Sequence, residues 1–361
     1  MPPSREVDLQ IEDIAFGGKG VARANGKVVF VPFTIEGEGI TARITREKKQ
    51  FAEAELTSVR ASSSQRTTPE CPYFGTCGGC SYQYINYAHQ LGLKRRQVEQ
   101  ILRRIGHFEH PPVVEIIPSP LPYAYRNRVT VHVERGVVGY YRRDVHELID
   151  IEHCPIAAPE VNTALAQLRV SRPRDGHYTL RARRGPRIFE QTNDAVAEAL
   201  GRLVENLLPP RAPLLIDAYC GAGFFAKRLT SRFERVLGLE WDRFAIAAAE
   251  EKTAPNETYL AADVALALRA QLEAADPANT CVIVDPPATG LDENARHALL
   301  EHPPQCLIYV SCNPPTLARD LRELCARFTL ESVTPLDMFP QTAEIECVAA
   351  LRRLGHSPRA T

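Results

Sequence analysis

The chain has 361 residues, and at roughly 150 residues per domain that length suits two or three domains rather than one. Hydrophobic residues make up 44% and charged residues 24%, a soluble globular balance able to bury a real core. No run of about 18 apolar residues exists, which excludes a membrane-spanning helix, and the opening MPPSREVDLQ lacks the apolar centre of an export signal, so a cytoplasmic protein is expected.

The formal net charge of -1 hides an asymmetry. Residues 1–70 carry 10 basic and 10 acidic side chains, residues 71–187 carry 17 and 10, and residues 188–361 carry 16 and 24. A basic middle suits contact with a polyanion, although uneven charge also simply solvates uneven surfaces. Ten cysteines in a long chain without an export signal point to metal binding or catalysis rather than a disulfide framework. Cys71, Cys77 and Cys80 cluster, Cys154 stands apart, and the other six fall after residue 219.

Residues 7–59 read as about five short strands with turn punctuation. Val28-Val29-Phe30-Val31 follows the Asn25-Gly26 turn signal, and Gly37 and Gly39 break the chain before Ile40-Thr41-Ala42-Arg43-Ile44. So many strands in so few residues suggest a small closed or nearly closed barrel. A polar linker, 61–69, precedes the cysteines. From Ala88 to Ile105, apolar residues recur at helical spacing, and Lys94, Arg95, Arg96, Arg103 and Arg104 make that helix strongly basic. Residues 125–151 alternate as strands, and their Arg126, Arg128, Arg142 and Arg143 face either RNA or water.

From about Arg187 the pattern becomes alternating strand and helix. Leu214-Leu215-Ile216-Asp217, Val236-Leu237-Gly238-Leu239-Glu240, Val282-Ile283-Val284-Asp285 and Leu307-Ile308-Tyr309-Val310 are apolar runs ending at polar residues, separated by helical stretches such as Ala245–Lys252 and Thr316–Phe328. Such runs predict a parallel sheet covered on both faces, with ligands at the strands' carboxyl ends. Gly221-Ala222-Gly223-Phe224-Phe225-Ala226 follows the first strand as a G-x-G-x-x-A turn, and Glu240 closes the next strand where a ribose-binding carboxylate is expected. On these residues a dinucleotide and an adenosyl cofactor both fit. Asp285-Pro286-Pro287 suits a nucleobase methyltransferase using S-adenosylmethionine, and Ala288, where amine-directed enzymes put an aromatic residue, argues against methylation of an exocyclic amine.

Ser311-Cys312-Asn313-Pro314 ends another strand just before a helix, which places a thiol for nucleophilic use. Uracil carbon 5 becomes nucleophilic only when a thiolate adds to carbon 6, and a base must later remove the carbon 5 proton. Glu346, on a strand running into Cys347-Val348-Ala349-Ala350-Leu351, is the candidate base.

These motifs resemble those of the RNA uracil-5-methyltransferases that carry an N-terminal TRAM domain and an iron–sulfur cluster, and the similarity spans nearly the whole chain. Phe16-Gly17-Gly18-Lys19-Gly20-Val21-Ala22 looks like the start of TRAM, Ser311-Cys312-Asn313-Pro314 like the nucleophile motif, and Asp337-Met338-Phe339-Pro340 leading to Glu346 like the general-base motif. The resemblance implies Cys312 and Glu346 as catalytic residues. It implies Gln191, Tyr219, Glu240, Asp263 and Asp285 as S-adenosylmethionine contacts, and Cys71, Cys77, Cys80 and Cys154 as ligands of a [4Fe–4S] cluster. From the cysteines alone, structural zinc is an equal alternative. Two positions depart from the family: Ala288 replaces its usual arginine and Phe224 its frequent asparagine, which removes those side chains as cofactor contacts.

The expected fold is α/β: a Rossmann-like S-adenosylmethionine methyltransferase domain (188–361), a TRAM-like, OB-like β-barrel (1–60) and a cysteine-rich α+β central region (66–187). The expected activity is methylation of carbon 5 of one uridine, with 23S rRNA preferred as substrate over the T-loop of tRNA, and with no membrane and no obligate protein partner. Two rivals remain. A zinc nucleobase deaminase has the order of its H-x-E and P-C-x-x-C motifs reversed here, with Gly78 and Gly79 between the cysteines and Thr76 where the proline belongs. A non-catalytic RNA-binding protein is opposed by the intact Cys312 and Glu346.

Overall fold

The computed structural model describes residues 5–183 and 191–355. Among these, no helix is long and apolar enough to cross a membrane. The chain packs as two compact units: one from Met1–Gln97, Pro120–Arg184 and Phe339–Glu344, the other from Val98–Ser119, Gly185–Met338 and Ile345–Thr361.

The first unit begins with β1 (Glu6–Gln10), β2 (Asp13–Ile14), β3 (Lys19–Ala24), β4 (Lys27–Pro32), β5 (Gly39–Glu47) and β6 (Phe51–Ala61), joined in one sheet in the order β1-β5-β6-β4-β3-β2. Six strands stand where five were expected, because β2 is too short to leave a period in the sequence. Asn25 at φ 50° and Gly26 at φ 77° make the left-handed pair that a two-residue hairpin requires between β3 and β4. Alternation along these strands buries Leu9, Ala22, Val29, Val31, Ile40 and Ala54 together.

A buried ion pair helps fasten the sheet to the segment after it. Glu38 is fully buried, and Arg66 donates to both its oxygens at 2.7 Å from Nε and one terminal nitrogen. The amides of Ile35 and Ser63 donate to it as well. Burial alone would raise the Glu38 pKa, but these donors and the Arg66 charge hold it below the usual value. Glu38→Ala would strand the guanidinium, and a loss of about 3–5 kcal/mol is expected. Thermal melting of the full chain checks this; an unchanged melting temperature would remove the pair's structural role.

Helix α1 (Tyr87–Arg104) lies one residue from the expected bounds at each end. Its charge is not all displayed. Lys94 is fully buried and its Nζ donates to the Phe339 carbonyl at 3.0 Å, while Arg96 pairs with Glu36 and Arg103 with Glu99. Next come β7 (Arg128–Glu134), β8 (Val137–Tyr141), β9 (Leu148–Asp150), α2 (Pro159–Val170) and β10 (Gly176–Arg181). The four strands pair antiparallel in the order β10-β7-β8-β9. Val129, Val131 and Val133 on one face of β7 pack with Val161 and Leu165 of α2, a face each fully buried valine or leucine stabilises by about 1.5–3 kcal/mol.

The second unit contains α3 (Asp194–Leu207), β11 (Ala212–Ala218), α4 (Phe224–Leu229), β12 (Phe233–Glu240), α5 (Arg243–Glu250), β13 (Glu257–Ala261), α6 (Val264–Ala274), β14 (Thr280–Val284), α7 (Glu293–Glu301), β15 (Cys306–Ser311), α8 (Pro314–Leu324), β16 (Phe328–Leu336) and β17 (Glu346–Arg353). Its sheet runs β13-β12-β11-β14-β15-β17-β16. The first five strands are parallel, and β17 is antiparallel to both β15 and β16. Strand order reverses between β11 and β14, the switch point where such sheets open a crevice at their carboxyl ends. The expected helix 316–328 ends earlier, at Leu324, and Phe328 begins a strand instead.

Candidate active site

The carboxyl ends of the five parallel strands lie along this edge, and Tyr219, Glu240, Asp263, Asp285 and Cys312 each close or follow one of them, whereas Gln191 precedes α3 and Glu346 begins β17. After β11 the chain turns through Tyr219, which holds φ at 65°, and through Gly221 and Gly223 at 53° and 83°. A tyrosine in the left-handed region is strained, and such strain persists where the surroundings over-determine it. Here the Tyr219 amide is held by the Leu239 carbonyl at 2.8 Å and its hydroxyl bonds Asp292, the N-cap of α7. Burial raises the pKa of that hydroxyl first, with the charges of Asp292 and Asp263 adding.

Glu240, buried at the end of β12, braces the glycine turn. One oxygen accepts from the Gly221 amide at 3.1 Å, and the other from Trp241 and Asp242 at 2.9 and 3.0 Å. A carboxylate has about four acceptor positions, so one remains for a ribose hydroxyl. Asp263 is exposed after β13 and caps α6 by accepting from the Leu266 amide at 3.0 Å. Gln191 is half-buried just before α3, whose N-cap Asn193 donates to Ser119 Oγ at 3.0 Å. Phe189 and Glu190 of the same motif lie outside the described residues.

Ala288 departs from the family, yet its backbone is engaged: the 288 carbonyl accepts from Asn313 Nδ2 at 2.8 Å and from Thr316 Oγ1 at 3.1 Å. These bonds tie the loop after Asp285 to the start of α8. Fully buried Asp320 reinforces the tie by accepting from Tyr309 Oη and the Leu291 amide. Phe224 is partly exposed and stands edge-on to Phe225.

Cys312 and Glu346 come together through strand register. β15 and β17 pair antiparallel, the ladder ending with Ser311 opposite Cys347, and Cys312 and Glu346 are the residues next along the two segments. Cys312 is half-buried and precedes the N-cap of α8. Glu346 is buried, and desolvation followed by the charge of Asp285 raises its pKa well above the carboxylate range. Asp285, on the crevice wall, is pushed up to about 7 by burial. The site therefore sets a thiol near a carboxyl that readily holds a proton, with a second such carboxyl in range.

One charged residue was missed as a site residue. Asp217 is fully buried beneath the glycine turn, with its Oδ2 accepting from the Ala226 amide at 2.9 Å. Burial pushes its pKa up to about 8, opposed by that bond and helped by the charges of Asp285 and Glu240. A carboxylate at a strand's end gives no sequence signal of whether it will face the ligand or the core. Because its folded pKa lies above the unfolded one, the native state binds the extra proton, so stability is lost as pH rises from about 4 to about 8. Asp217→Asn is expected to remove a few kcal/mol of that loss. Denaturant unfolding of both proteins across about pH 5 to 8 checks it; parallel pH curves would refute the assignment.

In the first unit Cys71, Cys77, Cys80 and Cys154 are all free and half-buried. Burial raises all four pKa values, that of Cys80 to about 12, and the set is close enough that the thiols perturb one another's charge. The Gly79 amide donates to Cys77 Sγ at 3.4 Å and Arg143 donates to the Cys80 carbonyl. Yet among the described residues no three Cys, His, Asp or Glu side chains form a group that could hold a metal ion. Arg143, one of the arginines expected to face either RNA or water, lies over the Phe33 ring at 4.9 Å, and Arg142 pairs with Glu147.

Residues 174–354 match the tRNA (uracil-5-)-methyltransferase family and residues 4–57 match the TRAM domain. An RNA methyltransferase of Thermosynechococcus vestitus is 30% identical over 96% of this chain and 97% of its own. The 23S rRNA (uracil(1939)-C(5))-methyltransferase of Acidithiobacillus ferrooxidans is 30% identical over 95% and 96%. Among solved structures, the Pyrococcus abyssi tRNA (uracil-54, C5)-methyltransferase bound to S-adenosyl-L-homocysteine shares the fold, with a TM-score of 0.72, 24% identity and coverage of 96% of this chain and all of that one. The chain therefore belongs to the tRNA (uracil-5-)-methyltransferase family, enzymes that methylate carbon 5 of uracil in RNA using S-adenosylmethionine.

Proposed function

We propose that this enzyme methylates one uridine of 23S rRNA through a covalent adduct of Cys312, with Glu346 as general base. The observation that supports the roles is the β15–β17 register: Cys312 and a desolvated Glu346 each adjoin the Ser311–Cys347 pair. The target base turns out of its stack into the crevice. The Cys312 thiolate forms a bond to carbon 6, and the carbon 5–carbon 6 electron pair moves into an enolate. S-adenosylmethionine supplies the methyl group to carbon 5 when bound. Glu346 then takes the proton from carbon 5, the double bond re-forms and the thiolate leaves. Gln191, Tyr219, Glu240, Asp263 and Asp285 hold the cofactor, and Tyr219 and Glu240 also keep the glycine turn in shape.

In this reading residues 1–60 form the TRAM RNA-binding barrel, 66–187 the cysteine-rich RNA-binding region and 188–361 the catalytic domain, working on cytoplasmic RNA. Cys71, Cys77, Cys80 and Cys154 hold a [4Fe–4S] cluster. What supports this reading is the resemblance together with an all-thiol set whose members lie near enough to perturb one another's charge, the ligand chemistry an iron–sulfur cluster takes. The cluster's part is structural, since methyl transfer moves no net electron.

Nucleoside mass spectrometry tests the reading, with anaerobically purified protein, S-adenosylmethionine, and either unmodified 23S rRNA or a tRNA pool. New 5-methyluridine in 23S rRNA alone is expected. The same product in tRNA alone would keep the chemistry and overturn the substrate. Iron and sulfide analysis of the same preparation tests the cluster, and stoichiometric zinc in their place would overturn it.

A further inference from the structure

The outer face of the sheet β10-β7-β8-β9 carries a row of rings that the reaction does not use. With Val129, Val131 and Val133 turned to the core, Thr130, His132 and Glu134 of β7 face the other way. The register sets Thr179 opposite Thr130 and His177 opposite His132. The two imidazoles meet at 2.7 Å between their Nδ1 atoms. The His132 ring lies 4.4 Å from that of Tyr141, which stacks on His146 at 4.0 Å with 25° between the planes. Tyr141 is fixed in place by donating its hydroxyl to Glu134 at 2.6 Å.

We propose that the row His177, His132, Tyr141 and His146 is a stacking site for unpaired bases of the RNA substrate. The proposal rests on the RNA-methyltransferase reading above. Three features favour RNA as the occupant. Exposed aromatic rings on a β-sheet give bases the flat surfaces on which single strands stack. Burial and the neighbouring His177 keep His132 below its usual pKa despite Glu134, so that ring is neutral at neutral pH and offers a π-face. Four carboxylates around the row are already engaged, Glu134 by Tyr141, Asp150 by Arg169, Glu147 by Arg142, and Asp175 by the Arg135 amide, while Asp144 in the loop before His146 is exposed. Exposed Arg135 and Arg174 flank the His177 end, where a backbone phosphate of a stacked strand would meet them.

The test measures binding of the full chain, without S-adenosylmethionine, to a short single-stranded oligoribonucleotide of mixed sequence and to a duplex of the same length. Tyr141→Ala with His146→Ala is expected to weaken single-strand binding about tenfold or more, at the stacking contribution of each ring, and duplex binding far less. Tyr141→Phe, which keeps the ring and loses only the bond to Glu134, is expected to stay near wild type. Photocrosslinking of wild-type protein should place the single strand on Tyr141 or His132. Unchanged single-strand affinity, equal losses for strand and duplex, or crosslinks confined to other faces would each overturn the site. Methyl transfer by the wild-type enzyme reports separately on the reading beneath it, so the two failures are distinguishable.

Discussion

Replacing Glu346 by glutamine is expected to leave the enzyme joined to its RNA. The variant keeps Cys312, so addition to carbon 6 and methylation at carbon 5 proceed, but no base removes the carbon 5 proton and the thiolate cannot leave. Turnover should fall by about 10²–10⁴-fold, the usual contribution of a positioned base. The adduct should persist as a slow-migrating band in denaturing gels. Cys312→Ala should give neither adduct nor product. Methylation by Cys312→Ala, or rapid release of RNA from Glu346→Gln, would end the scheme. Glutamine is nearly isosteric, and Glu346 occupies a buried strand start opposite Leu336, so the substitution disturbs packing little.

A second large effect concerns pH. Glu346 is raised first by burial and then by the charge of Asp285, itself pushed up to about 7. The pair holds on to a proton where ordinary carboxylates have lost theirs. Base catalysis needs Glu346 ionised, so decay of the adduct should quicken as pH rises, with its rising limb above the ordinary carboxylate range. Asp285→Asn removes one like charge, lowers the Glu346 pKa and should move that rising limb toward lower pH. Single-turnover decay at saturating S-adenosylmethionine isolates the step from any weakened cofactor binding. A limb that stays in place in the variant would separate the two carboxyls and leave burial alone as the cause.

The covalent layout of the site was largely readable from residue order. Glu240, Asp285 and Cys312 close or follow apolar runs, and a parallel sheet gathers such ends at one edge, whereas Gln191, Tyr219 and Asp263 as cofactor contacts came only from the resemblance. The hairpin at Asn25-Gly26 and the helix near Tyr87–Arg104 were legible for local reasons, namely a left-handed turn pair and an apolar stripe. Local patterns did not show where charge goes. Lys94, read as part of a basic face, is buried on the Phe339 carbonyl, and Arg143 is spent on the Cys80 carbonyl and the Phe33 ring. Asp217 gave no sign that its carboxyl would be sealed beneath the glycine turn.

The sequence by itself therefore determined the family, the strand–helix alternation and which residues end each strand, because these depend on periodicity and on neighbours in the chain. Only the tertiary structure decided that β17 returns antiparallel beside β15, with Cys347, the neighbour of Glu346, opposite Ser311, the neighbour of Cys312. It also decided that Asp285 lies near enough to raise Glu346, and that four rings line the outer face of the central sheet. Register, desolvation and ring-to-ring distance arise between segments distant in the chain, and a residue pattern carries no direct record of them.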